Sequence, residues 1–171
     1  MQTTSSPTKA IPQLGRYQID PAGSRVTFRT RHLFGLAPVR GSFALRGGTV
    51  DVSEPLTASR IHAEFDAASF HTRNPMRNAQ VRSAQFLAAD AHPVLAFSSE
   101  GLNGQVLAGT LTVRGVTRPV SVLTEVTEVS PGSFTARATV RIDRYDFGVT
   151  ASRGLAGRYL DVTVEARCVR S

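Results

Sequence analysis

The chain has 171 residues, 41% of them hydrophobic, which suits one globular domain with a core and excludes a disordered tail or a miniprotein. Lysine and arginine total 20 against 13 acidic residues, for a formal net charge of +7, and Lys9 is the one lysine among them. The single cysteine, Cys168, excludes an intrachain disulfide and a cysteine-rich zinc site, and apolar runs of only a few residues predict no membrane-spanning helix.

The start of the chain differs in composition from the rest. Residues 1–15 are rich in threonine, serine and proline and carry no apolar periodicity, which predicts a flexible arm at 1–15 ahead of one barrel domain at 16–171. No apolar stretch of roughly 7 to 15 residues follows a positive charge there, so we expect no secretory signal and a cytoplasmic protein.

From Tyr17 onward, apolar and polar residues alternate with a period of two, which is typical of strands that bury one face. In the first such stretch Val26 and Phe28 share one face, and arginines occupy the other. The second stretch ends before Gly47-Gly48, which we interpret as a turn. The predicted strands cover residues 25–32, 39–45, 60–66, 94–99, 106–113, 120–126, 134–142 and 160–169.

One segment departs from this alternation. Met76, Val81 and Ala84 are spaced three to five residues apart after an Asn-Pro pair that suits a helix N-cap and first position, so we expect one short helix within residues 74–86. Sequential strands with little room for crossover helices pair antiparallel, and closure removes their edges. The predicted fold is all-β, an eight-stranded antiparallel barrel with one short helix.

A barrel of about eight strands is either filled by its own side chains or holds one small ligand. The predicted inward faces combine phenylalanines with small residues such as Gly41, Ala63 and Gly109, and the chain has no tryptophan. The small residues either leave space inside or fit the taper of a packed barrel, and both interpretations stay open at this point.

Five blocks of sequence carry a family resemblance. The run YQIDPAGSRVTFRTRHLFGLAPVRGSF, at residues 17–43, resembles the opening of the YceI-like family, with its Tyr-x-Ile-Asp, Ser-x-Val-x-Phe-x-x-x-His and Gly-x-Phe elements. Further blocks follow in the family's order at residues 77–86, 92–99, 109–120 and 141–149.

The resemblance covers residues 17–169. It implies a lipocalin-like barrel whose hydrophobic cavity binds a long-chain isoprenoid or similar amphiphilic lipid, of the isoprenoid quinone or polyprenyl phosphate class, for transport, storage or sequestration. It also makes a homodimer a candidate assembly. Each methylene of such a chain gains about 0.8 kcal/mol on leaving water, so an apolar cavity suits it.

The candidate ligand-binding residues fall into a polar group, Arg77, Arg82 and His32, and an apolar group that forms the cavity wall. Arg77 and Arg82, on the predicted helix, either contact a polar head group or are simply solvated. His32, at a strand end on the inward face, either hydrogen-bonds a ligand oxygen or makes a structural bond. The candidate cavity wall, which ordinary core packing explains about as well, consists of apolar residues on adjacent strands: Phe28, Phe43, Phe65, Phe97 and Leu111.

Motifs that support catalysis are missing from the sequence. The four histidines lack metal-ligand spacing, and there is no Gly-x-Ser-x-Gly elbow or phosphate loop, so we predict a protein that is not an enzyme and has no metal or cofactor. Cys168 lies on the apolar face of the last strand and is interpreted as a small buried hydrophobe. Arg144 and Asp146 are interpreted as an opposite-charge pair that closes a strand end.

The positive charge motivates an alternative function, a basic barrel that docks on nucleic acid or on an anionic membrane surface. The arginines are scattered over nearly every strand with acids between them, and no basic stripe with interleaved aromatics is present. No specific nucleic-acid partner is therefore predicted, whereas an anionic membrane is a candidate partner that also fits lipid binding.

Overall fold

A computed structural model describes residues 11–32 and 35–171, the side chain of Glu100 excepted, so residues 1–10 of the predicted arm lie outside the described part. The described residues form nine strands and one α-helix. In chain order they are β1 (Gly15–Ile19), β2 (Arg25–His32), β3 (Ala37–Val52), β4 (Arg60–His71), α1 (Pro75–Arg82), β5 (Val94–Asn103), β6 (Val106–Val113), β7 (Val116–Ser130), β8 (Ser133–Asp143) and β9 (Tyr159–Arg170).

The strands make one closed antiparallel barrel with eight positions around its wall. Neighbouring strands follow the order β3-β2-β9-β8-β7-β6-β5-β4, and β4 pairs with β3 to close the ring. The extra strand, β1, shares a position with β2: Gly15 lies opposite Val52 at one end of β3, and His32 lies opposite Ala37 at the other. The predicted eight-stranded antiparallel barrel with one short helix is confirmed.

The Gly47-Gly48 pair, predicted to be a turn, lies inside a strand. β3 continues through it to Val52, and the pairing with β4 shifts register between Leu45 and Gly47. Gly47 adopts a φ of 152°, which side chains disfavour, and a Cβ on Gly48 would collide with the His62 carbonyl. The extra residue in that shift is Arg46, so Leu45, Arg46 and Gly47 form a bulge that bends β3, as closure of a small barrel requires. Gly48 follows the bulge and allows the close approach of β4.

Two glycines on the barrel wall are covered by phenylalanine rings. Gly41 lies directly opposite Phe28, and a Cβ on Gly41 would collide with that ring and with the His71 carbonyl. A Cβ on Gly109 would come within 2.8 Å of the Phe97 ring. These small residues therefore leave no empty space themselves. They let each ring lie flat against the wall, which keeps the ring out of the barrel centre.

The predicted helix is confirmed as α1, which packs at one end of the barrel. Its N-cap, Asn74, accepts a hydrogen bond from the Arg77 backbone amide at 3.1 Å, and Pro75 occupies the first helical position. Buried Asn78 accepts from the Thr72 backbone N–H at 2.8 Å and donates to the Thr72 carbonyl at 3.1 Å. These bonds hold α1 against the end of β4.

We expect the substitution Gly41→Ala to lower the free energy of unfolding by about 1–3 kcal/mol, because the new methyl must displace the Phe28 ring or the β4 backbone. Gly101→Ala is the matched control, since its Cβ would meet only the Thr57 carbonyl oxygen, at 3.9 Å. Urea denaturation followed by circular dichroism measures both. Equal stabilities of the two variants would contradict the close packing of Phe28 on Gly41.

Candidate ligand-binding cavity

A cavity of about 1130 Å³ runs along the barrel axis and is bordered by side chains from all nine strands. Val39 and Val52, near opposite ends of β3, both line it. At about 3.3 Å per residue and a strand tilt of about 40°, that separation corresponds to roughly 30 Å along the axis. The barrel is therefore hollow, and of the two interpretations left open by the sequence, the packed barrel is wrong.

The wall of the cavity is apolar along its length and charged only near its ends. Arg77 and Arg144 border the end that carries α1, here called the upper end, and Glu125 borders the opposite, lower end. Between them the wall is built from aliphatic and aromatic residues such as Phe65, Phe97 and Val122. An apolar chain can therefore lie within the barrel without removing a charged group from water.

Of the predicted site residues, all but one border the cavity. Two of the predicted phenylalanines pack with a third, Phe70: the Phe28 ring centroid lies 5.6 Å from Phe43 and 5.2 Å from Phe70. Phe70 was missed, because it follows an irregular stretch of β4 where the pairing with β3 jumps from Ala44–Asp66 to Ser42–His71. The predicted residues that line the cavity are Phe28, His32, Phe43, Phe65, Arg77, Phe97 and Leu111.

Arg82 is the predicted site residue that the structure places elsewhere. Its guanidinium donates a hydrogen bond to the Phe70 carbonyl at 2.6 Å, and it does not border the cavity. Because α1 turns by about 100° per residue, Arg77 and Arg82, five positions apart, point to different sides of the helix. Arg77 faces the cavity, and Arg82 ties the helix to β4.

The second arginine at the upper end, Arg144, is buried. Its Nε donates to the Gly157 carbonyl at 2.7 Å, and its Nη1 and Nη2 donate to the carbonyls of Val149 and Ala156 at 2.8 and 3.3 Å. Burial lowers the pKa of this guanidinium, whose charge is balanced by carbonyl dipoles. The predicted pairing with Asp146 is wrong, because the chain after Arg144 folds back and surrounds its side chain with backbone oxygens.

Arg144 therefore fastens the loop at residues 148–158 across the upper end of the barrel. Its guanidinium also lies over the rings of Phe86 and Tyr145, at 5.6 and 5.0 Å from their centroids. The family block at residues 141–149 contains the run Arg144-Tyr-Asp-Phe-Gly148, which marks this residue in the sequence. The spacing alone does not show which carbonyls the side chain reaches.

Other reactive groups are few in the part of the chain that the structure describes. Cys168 is buried, as predicted, and burial raises the pKa of its thiol to about 12, so the group stays protonated. Within residues 11–32 and 35–171 no cluster of histidine, cysteine and acidic side chains could hold a metal ion. The one α-helix of these residues is too short and too polar to cross a membrane.

We expect Arg144→Gln to lower the free energy of unfolding by at least about 2 kcal/mol, because three backbone carbonyls lose a charged donor. Arg153→Gln is the control: Arg153 lies 5.0 Å from the same Tyr145 ring but is exposed, so its loss should change stability by less than about 0.5 kcal/mol. Urea unfolding distinguishes them. An Arg144→Gln variant with the wild-type free energy of unfolding would contradict the role of Arg144 in fastening the loop.

Comparison with known proteins agrees with this architecture. The family model for the YceI-like domain matches residues 17–169. A UPF0312 protein of Serratia proteamaculans is 29% identical over 168 residues, which cover 91% of this chain and 86% of that protein. A protein named YceI from Salmonella arizonae is 26% identical over 166 residues, covering 90% of this chain and 86% of the relative.

Solved structures share the fold. BcnA of Burkholderia cenocepacia superposes with a TM-score of 0.74 at 20% identity, covering 87% of this chain and 98% of that one. A polyisoprenoid-binding domain from Saccharophagus degradans, implicated in plant cell wall breakdown, also has a TM-score of 0.74, at 14% identity, covering 93% of this chain and all of the other.

Proposed function

The chain belongs to the YceI-like family, and from that premise we propose that it binds the apolar chain of an isoprenoid or similar amphiphilic lipid inside the barrel, in order to carry, store or sequester it. The observation that carries the proposal is the continuous apolar cavity of about 1130 Å³. Each methylene placed there gains about 0.8 kcal/mol relative to water. The structural neighbour from Saccharophagus degradans, described as a polyisoprenoid-binding domain, supports the same ligand class.

The ligand lies with its chain in the barrel and its polar end at the upper end. Phe28, Phe43, Phe65, Phe97 and Leu111 contact the chain, because all of them line the apolar stretch of the wall. His32 and Arg77 border the upper end, where they meet the polar group as it leaves the barrel. Within the described residues the Arg77 guanidinium has no hydrogen-bond or salt-bridge partner, so it is available to a ligand oxygen.

The placement of the ionisable groups in the cavity wall favours ligand binding without catalysis. Catalysis by a general acid and base needs two such groups within reach of one bond. In the described wall of the cavity, the Glu125 carboxylate borders the lower end, whereas the His32 imidazole and the arginines border the upper end, so the length of the barrel separates the carboxylate from the imidazole. We therefore propose a binding protein rather than an enzyme. The cytoplasmic location and the homodimer stay predictions from the sequence.

The upper end also has the chemistry of a membrane-docking surface, which a lipid carrier needs for exchange. Leu36, Met76 and Leu155 are exposed there by 85%, 83% and 54%. Exposed arginines accompany them, Arg73 beside α1 and Arg153 beside Leu155. Apolar side chains that enter the headgroup region, flanked by cations that attract anionic lipids, favour a bilayer rich in anionic lipid as the partner.

We expect Ala138→Phe to weaken binding of a long-chain isoprenoid at least about tenfold, because the added ring occupies the centre of the barrel. Ala138 lines the cavity midway along β8, whereas Ala108 on β6 is exposed on the outer face and provides the matched control Ala108→Phe. Displacement of a fluorescent polyene lipid measures both affinities. Equal binding by the two variants would contradict a ligand within the barrel.

We expect the double variant Met76→Asp/Leu155→Asp to bind vesicles containing about one third phosphatidylglycerol at least about tenfold more weakly than wild type, because two apolar side chains leave the headgroup region. Leu123→Asp is the control, since Leu123 is also 54% exposed but lies on the wall of the barrel in β7. Vesicle cosedimentation measures binding. Affinity that is independent of anionic lipid content or salt would contradict this docking surface.

A further inference from the structure

A short segment of chain outside the strands borders the lower end of the barrel. Residues 11–14, here called the N-terminal segment, lead into β1, whose first residue, Gly15, lies opposite Val52 at the end of β3. The segment therefore meets the barrel wall at its lower rim. Ile11 and Pro12 nevertheless line the cavity, so the segment turns inward beneath the barrel.

The lower opening is bordered from its far side by the hairpin between β5 and β6. Leu102, Gly104 and Gln105 of this hairpin line the same cavity. In the order of strands around the ring, the position that β1 shares with β2 lies directly opposite β6. The N-terminal segment and the hairpin thus border the lower opening from opposite sides.

The N-terminal segment is long enough to cover much of this opening. Strands about 4.8 Å apart and tilted by about 40° close eight positions into a ring roughly 16 Å across between backbones, and side chains narrow it further. Four extended residues reach up to about 14 Å. Ile11 lines the cavity and is 60% exposed, as expected for a side chain that separates the cavity from water.

Two hydrogen bonds from the barrel hold the N-terminal segment in place. The hydroxyl of Tyr17, a buried residue whose ring centroid lies 4.8 Å from that of Phe134, donates to the Gln13 carbonyl at 2.8 Å. The Arg170 guanidinium donates to the Leu14 carbonyl at 2.5 Å and lies over the Tyr17 ring, 5.6 Å from its centroid. Because both donors belong to strands, these bonds tie the segment to the barrel wall.

We propose that Ile11 and Pro12 form a plug that closes the lower end of the cavity, so that a ligand enters and leaves through the upper end. This inference rests on the proposed function and specifies how its site is closed. At an open lower end the last methylene groups of a bound chain would stay in water, and the free energy of their burial would be lost. Pro12 suits a plug, because its ring fixes its own φ and favours an extended conformation at Ile11.

The first test measures how easily a water-soluble quencher reaches the far end of a bound chain. The probe is cis-parinaric acid, whose fluorescent double bonds lie in the half of the chain away from the carboxyl group, and so toward the lower end of the barrel. The variant Ile11→Ser/Pro12→Ser should raise the Stern–Volmer constant for quenching by acrylamide at least about threefold, because the quencher then enters from below.

The matched control changes the other half of the same segment. Gln13 and Leu14 are exposed and do not border the cavity, and only their backbone carbonyls accept the bonds from Tyr17 and Arg170. Gln13→Ser/Leu14→Ser should therefore keep the wild-type quenching constant.

Cys168 provides a second measurement that needs no lipid. It lines the cavity close to the lower end of β9, and it is the single cysteine of the chain. In protein freed of lipid, N-ethylmaleimide should alkylate Cys168 at least about tenfold faster in the plug variant than in wild type or the control, as followed by intact-protein mass spectrometry.

The outcomes separate the plug from the proposed function. Equal values for the plug variant and the control, in either measurement, would overturn the plug while leaving chain binding intact. Failure of cis-parinaric acid to bind the wild-type protein would overturn the proposed function, and the alkylation rates would then still show whether Ile11 and Pro12 close the lower end.

Discussion

A closed ring of backbone hydrogen bonds is the constraint on which the rest of this structure depends. Because β4 pairs with β3, every barrel strand has partners on both sides, and the wall holds its shape without a filled interior. A bulge in β3 and an irregular stretch of β4 supply the bend that closure needs, and the Phe28 ring lies over Gly41 on the wall rather than across the centre. The apolar side chains pack against their neighbours around the wall, and the barrel keeps a cavity of about 1130 Å³.

The position of charge follows from the same architecture. The strands present arginine outward and apolar residues inward, so charged groups border the cavity only near its two ends. At the upper end, the Arg144 guanidinium donates hydrogen bonds to three backbone carbonyls and so fastens a loop. Arg77 instead faces the cavity. Exposed apolar side chains, free guanidinium groups and the cavity thus meet at one end of the molecule, which is where a lipid would enter and where its polar end would lie.

The fold was predictable because alternation, turn residues and the Asn-Pro helix start are local patterns, and they identified eight strand positions and α1. Features that depend on contacts between strands could not be predicted in this way. Gly47-Gly48 has the composition of a turn, yet it lies inside β3 next to a bulge, because the register with β4 decides its conformation. Most predicted cavity residues do border the cavity, since facing inward follows from period two. Arg82 and Arg144 were assigned other surroundings, because the partners of a long side chain depend on which backbone oxygens the fold brings within reach.

The central claim is that the barrel holds one apolar chain, and native mass spectrometry of the purified protein, followed by organic extraction and lipid analysis, tests it most directly. We predict a bound species in one-to-one ratio whose extracted chain is prenyl or a similarly long apolar chain. A mass equal to that of the bare polypeptide, unchanged after incubation with isoprenoid quinones and prenyl phosphates, would contradict the claim.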